Sequence, residues 1–332
     1  MVRGRAVAMY GIQVSAFGPE DVLAYVELPD PRPAEGQVLV RMHGSGVNPA
    51  DTYIRSGAYA FYTPELPYTP GFDGAGVVVE TGNGVSSVRV GDRVFVAALG
   101  TAGASGAYAE LAVVAESAVH PLPESLSYQQ GAAIGVPAVT AWRALFQKAL
   151  LRGGETVLIH GASGGVGIVA TQLAHDAGAI VIGTSGSAPG AELVRAAGAD
   201  RVLDHGTPGY LDVLRAEFGG VQVVIEMLAN VNLEADLGVL ADRGRVVVVG
   251  SRGSLSFTPR LAMIKEATVL GTALWNSTAR ENADALAGLA AKLASGVLRP
   301  VVGTELPLRD AAQAHRKVLA AGVRGKIVLI PG

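Results

Sequence analysis

The sequence predicts an α/β chain of two domains, a doubly wound parallel sheet together with a β-rich domain. Three observations carry this. At 332 residues the chain exceeds what one hydrophobic core usually organises. Its early part is a series of short apolar runs broken by turn residues, and its later part alternates apolar strands with amphipathic helices.

From residue 1 to 127 the runs RAVAMYG, QVLVRMHG, GAGVVVETG, DRVFVAAL and YAELAVV are separated by PDPRPAEG, LPYTPG and GNG. Strands this closely spaced make a β-rich domain. LSYQQGAAIGVPAVTAWRALFQ then reads as one long Ala-rich helical stretch. After it come the strands TVLIH, AIVIGTS, RVLDH, VQVVIEML, GRVVVVG and ATVLGTAL. The helices GIVATQLAHDAG, AELVRAAG, YLDVLRAEFG and NLEADLGVLA lie between the first five of them. Parallel neighbours need a crossover and a helix is the usual one, so this segment is a doubly wound sheet. The expected division is 1–127 with 275–332 for the β-rich domain and 128–274 for the sheet domain. The closing helix NADALAGLAAKLASG and strand KIVLIPG would return to the first domain.

Composition excludes several chemistries. There is no cysteine, hence no disulfide, thiolate zinc site, iron–sulfur cluster or Cys nucleophile. The balance of 26 basic to 29 acidic residues provides no field for holding nucleic acid. Mean hydropathy is positive, yet Gly, Pro or charge interrupts every window long enough to span a bilayer. The start MVRGRAVAMYGIQV offers no continuous apolar signal segment. A cytoplasmic protein acting on small or neutral partners is expected.

VLIHGASGGVG places Gly161, Gly164 and Gly167 at the first strand-to-helix turn of the predicted sheet. A helix N-terminus there presents unpaired N–H groups, and glycines let a pyrophosphate approach the backbone, so a dinucleotide site is expected. The same residues satisfy G-x-S-x-G, the nucleophile elbow with Ser163 as nucleophile. Its partners, Asp310 and His315, would however share one helical segment, and no HGGG-like loop precedes the motif. The second strand ends in VIGTSGSAPG without the carboxylate that binds NAD ribose hydroxyls. A carboxylate about 4 Å from a 2′-phosphate would cost about 4 kcal/mol at an effective dielectric near 20. Its absence admits NADPH: Gly186 leaves room, and Ser187 and His205 offer hydrogen bonds. The alternative is a merely polar turn.

GVNPADTYIRSGAY, LPYTPGFDGAG, GDRVF, GAAIGVPAVTAWRAL, HGASGGVG, IEMLANVNL and VVVVGSRG, in this order nearly end to end, resemble the ζ-crystallin-like quinone reductases, a zinc-free branch of the medium-chain dehydrogenase/reductase superfamily. The resemblance implies a Rossmann domain with a GroES-like domain. It implies that NADPH meets Tyr53, Ser163, Gly164, Gly165, Val166, Gly186, Ser187, His205, Asn232, Val249, Gly250, Ser251, Thr272, Ala273 and Leu274. Asn48, Tyr53 and Tyr59 would face the nicotinamide and are the candidate catalytic residues. Zinc-dependent members carry a cysteine where this sequence has Asn48 and a His-Glu pair where it has Phe72 and Asp73, so no metal is expected. The six histidines, at 43, 120, 160, 175, 205 and 315, show no metal-binding spacing, and all but His205 are read as structural or surface residues.

Without a Lewis acid to hold charge on an alcohol oxygen, the expected acceptors are already electron-poor. The expectation is NADPH-dependent quinone reduction by a homodimer or homotetramer. Reduction of conjugated C=C bonds in alkenals and enones is the alternative. From another class, an NADPH-binding structural or RNA-binding protein stays open. Its one basic footprint would be Arg316, Lys317, Arg324 and Lys326, read otherwise as a solvated helix end.

Overall fold

The computed structural model describes residues 8–97 and 105–332; the first residues of the RAVAMYG run and the last of DRVFVAAL fall outside these. Two compact units result, 1–136 with 300–332 and 137–299. Both breaks fall later than the change of sequence texture places them.

The first stretch forms β1 (Ala8–Gln13), β2 (Ala24–Pro29), β3 (Gln37–Val47), α1 (Pro49–Arg55), β4 (Asp73–Thr81), β5 (Arg93–Ala97), β6 (Leu111–Ala115), β7 (Val119–Pro121) and α2 (Tyr128–Gly131). α3 (Gly135–Trp142) follows and widens into a π-helical turn over Arg143–Lys148. The single long helix expected here is thus three pieces. Pro137 cannot sit in a helix interior, and it forces the chain to restart, with the proline in the first turn of α3. The second unit continues with β8 (Thr156–Ile159), α4 (Gly165–Asp176), β9 (Ile180–Thr184), α5 (Ala188–Ala196), β10 (Arg201–Leu203), α6 (Asp212–Phe218), β11 (Val221–Glu226), α7 (Ala229–Val239), β12 (Leu240–Val248), α8 (Pro259–Lys265), β13 (Thr268–Gly271) and α9 (Ala279–Ala294). The chain ends with β14 (Val302–Pro307), α10 (Ala311–Leu319) and β15 (Lys326–Ile330).

In the second unit the strands run in the order β10-β9-β8-β11-β12-β13, all parallel. The order reverses between β8 and β11, the switch point where open α/β sheets bind ligands beyond the strand carboxyl ends. The core is aliphatic, with Leu158, Ile182, Val224, Leu237 and Val246 fully buried. α9 belongs to this unit and not to the β-rich one: its buried stripe Ala285, Leu289 and Leu293 packs inward, Gly288 lies against the Trp142 ring, and Glu281 pairs with Arg143. An amphipathic helix goes where its apolar face is covered.

In the first unit the larger sheet runs β14-β15-β3-β4-β5-β7, with β6 also on β3. β3 is long enough to serve two neighbours along one edge, β6 against Gln37–Arg41 and β15 against Ser45–Val47, while β4 lines the other edge. That register sets Gly46 opposite Asp73 and Val47 opposite Ile327. The end of β3 is therefore flanked by the start of β4 and the start of β15. No helix among the described residues is long and apolar enough to cross a membrane.

Candidate active site

In the second unit the residues expected to hold a dinucleotide all follow the carboxyl ends of parallel strands. Ser163 to Val166 follow β8, Gly186 and Ser187 follow β9, and His205 follows β10. Asn232 lies in the first turn of α7 after β11, Val249 to Ser251 follow β12, and Thr272 to Leu274 follow β13. Gly161 turns the chain at φ 56°, a left-handed conformation that side chains disfavour. Its N–H donates to Thr184 Oγ1 at 3.0 Å, tying the loop to the end of β9. At Gly167 a Cβ would lie 2.4 Å from the Gly161 carbonyl oxygen, so only glycine lets α4 pack this close. At Gly164 the nearest obstacle is 3.3 Å away, which leaves the backbone bare where α4 begins and its first N–H groups lack helical partners.

Beyond β9, Ser187 caps α5 by accepting the Gly190 N–H at 3.2 Å, and the Ser185 hydroxyl donates to the Ser187 carbonyl at 3.2 Å. A Cβ on Gly186 would meet His205 Nε2 at 2.5 Å, so the absent side chain makes room for the imidazole. The expected pair Gly186 and His205 is thereby brought together, with hydroxyls beside it and no carboxylate in the turn. Ser185, buried, was not singled out from the sequence; its place in the Thr-Ser-Gly-Ser turn was the signal.

Beneath this edge lies a buried cluster that sequence reasoning missed. His160, at the end of β8, meets Asp236 Oδ1 of α7 at 2.8 Å and Glu226 Oε2 at 3.4 Å. Glu226 also accepts the Leu228 N–H and the Asn232 side-chain N–H, the latter at 3.2 Å. Burial pushes both carboxyls up to about 7 and lowers the imidazole. Burial and, more weakly, the two carboxyls raise the nearby Tyr210 phenol to about 12. Glu226 Oε2 and Asp236 Oδ2 are buried without a hydrogen-bond donor, so a proton held between these acids satisfies what the chain does not. These three residues bring donor atoms within 4.8 Å of one another, a spacing a cation could bridge. The His160–Asp236 contact, however, has hydrogen-bond length.

The first unit buries a second network at the end of β3. Asn48 caps α1, and its N–H donates to Asp51 Oδ2 at 2.8 Å. Its Nδ2 donates to Asp73 Oδ2 at 2.9 Å, and the Lys326 ammonium donates to Asn48 Oδ1 at 2.5 Å and to Asp73 Oδ2 at 2.8 Å. Asp73 Oδ1 takes the Val136 N–H at 2.7 Å. Tyr108 donates to Asp51 Oδ2 at 2.9 Å, and His315 stands behind it at 3.4 Å. Burial pushes Asp51 up to about 7, Tyr108 well above the ordinary phenol range, and His315 down to about 3.

Zinc does not fit here. Phe72 has no ligating atom, Asn48 offers a neutral amide, and the carboxylate at the remaining position, Asp73, is already paired with the Lys326 ammonium, which a second cation would have to displace. Lys326 also corrects the expected basic patch: it starts β15, only 4% of its side chain is exposed, and Arg316 pairs with Glu20 at 3.2 Å. His315, a partner of Ser163 in the hydrolase reading, is buried against Tyr108 in the first unit. Tyr53 and Tyr59 do come together, their rings 6.5 Å apart and 14° from parallel, with Phe61 at the edge of Tyr59. Asn48 is only 3% exposed, whereas Tyr53 and Tyr59 are half-buried.

Comparison with known proteins agrees with this architecture. Residues 34–124 match the alcohol dehydrogenase GroES-like domain and 165–291 the zinc-binding dehydrogenase domain. The chain is 46% identical to the quinone oxidoreductase of Rattus norvegicus over 326 residues, 97% of this chain and 98% of that one. Among solved structures it resembles an NAD-dependent alcohol dehydrogenase (TM-score 0.89, 29% identity, covering 98% of this chain and 100% of that one). It also resembles a mycobacterial protein in complex with NADPH (TM-score 0.86, 32% identity, covering 97% of this chain and 100% of that one). With a nucleotide-binding sheet, a GroES-like unit and near full-length similarity to curated enzymes, the chain is an oxidoreductase of the ζ-crystallin-like quinone oxidoreductase family within the medium-chain dehydrogenase/reductases.

Proposed function

We propose that this oxidoreductase reduces quinones with NADPH and without zinc. The observation that carries the reading is the closed Lys326–Asn48–Asp73 network, which stands where zinc-dependent relatives place their ligands. An enzyme built this way has no Lewis acid to offer an unactivated alcohol, whereas a quinone spreads incoming charge over its own π-system.

For the cofactor, the fit rests on the bare Gly164 backbone at the start of α4 and on the Ser185, Gly186, Ser187 and His205 cluster, which can hydrogen-bond a 2′-phosphate without repelling it. The solved relatives include both an NAD-dependent enzyme and an NADPH complex; the missing acid after β9 favours NADPH here. Asn232, oriented by Glu226, and Val249 to Ser251, laced to β11 through the Val249 N–H donating to the Glu226 carbonyl at 2.8 Å, would hold the remaining dinucleotide. The bound cofactor supplies the hydride. Tyr53 and Tyr59 provide an aromatic face and hydroxyls for the acceptor, and the first unit otherwise acts by binding and orienting.

The purified enzyme is expected to oxidise NADPH with 1,2-naphthoquinone or 9,10-phenanthrenequinone at a rate unaffected by chelators. Indifference to every quinone, or activity restored only by zinc, would overturn the reading. The enzyme also works as a homo-oligomer in this proposal: β13 is an edge strand with Val269 exposed, and α8 beside it exposes Met263 and Ile264. Val269→Lys should therefore lower the mass measured by light scattering.

A further inference from the structure

We propose that Lys326 is a positioning residue for acceptor reduction, its buried ammonium orienting and polarising the Asn48 amide so that the amide's second N–H meets the acceptor oxygen on which charge develops. This rests on the reading above that the acceptor is a quinone, and adds that Asn48 meets it.

The orientation follows from hydrogen-bond chemistry. An ammonium only donates, so it must face Asn48 Oδ1, where it stands at 2.5 Å. The amide's NH₂ is then turned the other way, and one of its hydrogens anchors on Asp73 Oδ2 at 2.9 Å. A planar amide held at both ends cannot flip, and its remaining N–H points in a fixed direction. Positive charge on the oxygen side of an amide draws electron density away from nitrogen, which makes that N–H a better donor, an effect strengthened in a dry interior. The interior is dry: the side chains of Lys326 and Asp73 are 4% and 0% exposed.

The fold makes deliberate room for this group. A Cβ on Gly46 would lie 2.7 Å from Lys326 Cε and 2.2 Å from the Ala132 carbonyl, so glycine at the end of β3 is the condition for the lysine's path. Asp73 is not a sufficient reason for the lysine to be there, because the Val136 and Asn48 N–H groups already satisfy this carboxylate, and burying an ion pair seldom stabilises a protein more than apolar packing does. What the ammonium adds is a positive charge next to Asn48. A preorganised donor aimed at developing negative charge is worth about 100- to 1,000-fold in rate when it acts directly; one step removed, the expected effect is about 10- to 100-fold.

The test uses the full-length enzyme with substituted 1,2-naphthoquinones graded in reduction potential. For Lys326→Met, kcat/KM should fall about 10- to 100-fold for the least electron-poor quinones and much less for the most electron-poor, steepening the plot of log kcat/KM against potential. NADPH Kd, read by fluorescence, should stay unchanged. Lys326→Arg should restore the shallower slope, and Asn48→Ala combined with Lys326→Met should be no slower than Asn48→Ala alone. A uniform fall across the series, an unchanged rate, or additive losses in the double variant would overturn the proposal. If Lys326→Met does not fold, Lys326→Gln, which keeps a donor but not the charge, is read identically, and an unsteepened slope there overturns it. Wild-type enzyme that reduces no quinone would instead refute the functional reading on which the proposal rests.

Discussion

Asp73 in the first unit and the Glu226–Asp236 pair in the second are buried in opposite ways. In the first, Asp73 faces a lysine ammonium and two N–H donors, and its oxygens are all partnered. In the second, Glu226 and Asp236 face a buried imidazole, Glu226 also accepts the Leu228 and Asn232 N–H groups, and each acid keeps an oxygen without a donor. A lysine ammonium faces the carboxylate at one site; at the other, burial raises both carboxyls to about 7. The second arrangement is poised near pH 7, as is Asp51 in the first unit.

The sharpest way to break this contrast is to remove Asp73. Asp73→Ala strands the ammonium and leaves the Val136 and Asn48 donors without their acceptor. It should cost about 3–5 kcal/mol in urea denaturation; a loss below about 1 kcal/mol would show that the network relaxes freely. Glu226→Gln probes the other site. Its carboxyl is raised in the folded state, so between the unfolded value near 4 and the folded value of about 7 the native chain holds a proton that the unfolded chain has released. Stability contributed by this group therefore falls as pH rises through that window and levels off above it. The stability of Glu226→Gln relative to wild type should grow by about 1–3 kcal/mol from pH 5 to pH 8. The lowered histidines oppose this trend in the wild type by losing stability as pH falls below about 6.5, which is why the comparison is made between variant and parent at each pH. A difference that does not change with pH would place the titration elsewhere.

A smaller effect separates cofactor contact from fold. His205→Ala should weaken NADPH binding about tenfold, near 1.4 kcal/mol, and leave NADH affinity and melting temperature nearly unchanged. Equal losses for both nucleotides would remove His205 from the 2′-phosphate. Smallest of all, Arg32→Ala deletes an exposed ion pair with Glu80 and should shift stability by less than about 0.5 kcal/mol. A larger shift would mean that burial is not what separates consequential charges from idle ones in this chain.

Much of the nucleotide-binding unit was legible in advance because parallel strands buried on both faces read as unbroken apolar runs, and glycine spacing marks the turn that a helix and a phosphate both demand. The six strands appear in the predicted order along the chain, and the expected cofactor residues other than Tyr53, which lies in α1 of the first unit, fall at their carboxyl ends. α8, between the last two strands, carried no comparable signal: none of its residues is fully buried, and its inward side is only the partly buried Leu261 and Ala262. β2, at the margin of the first unit, was missed for a similar reason, having no buried position. The break into α2, α3 and a π-helical turn was written in Pro137, but Ala-rich periodicity on both sides masked it.

Local sequence determined the strands, the helices with inward apolar stripes, the glycine turn, and the absence of any thiolate chemistry, because these depend on side-chain periodicity and on which atoms exist at all. Tertiary structure alone decided that Lys326 is an interior charge and not a surface one, and that residues 48, 73 and 326 share one set of hydrogen bonds. It also decided that His160 lies between two acids. Charge looks the same in a string of letters whether water or a carboxylate surrounds it. Only the register of β15 and β4 on β3, and of β8 beside β11, determines which of the two it meets.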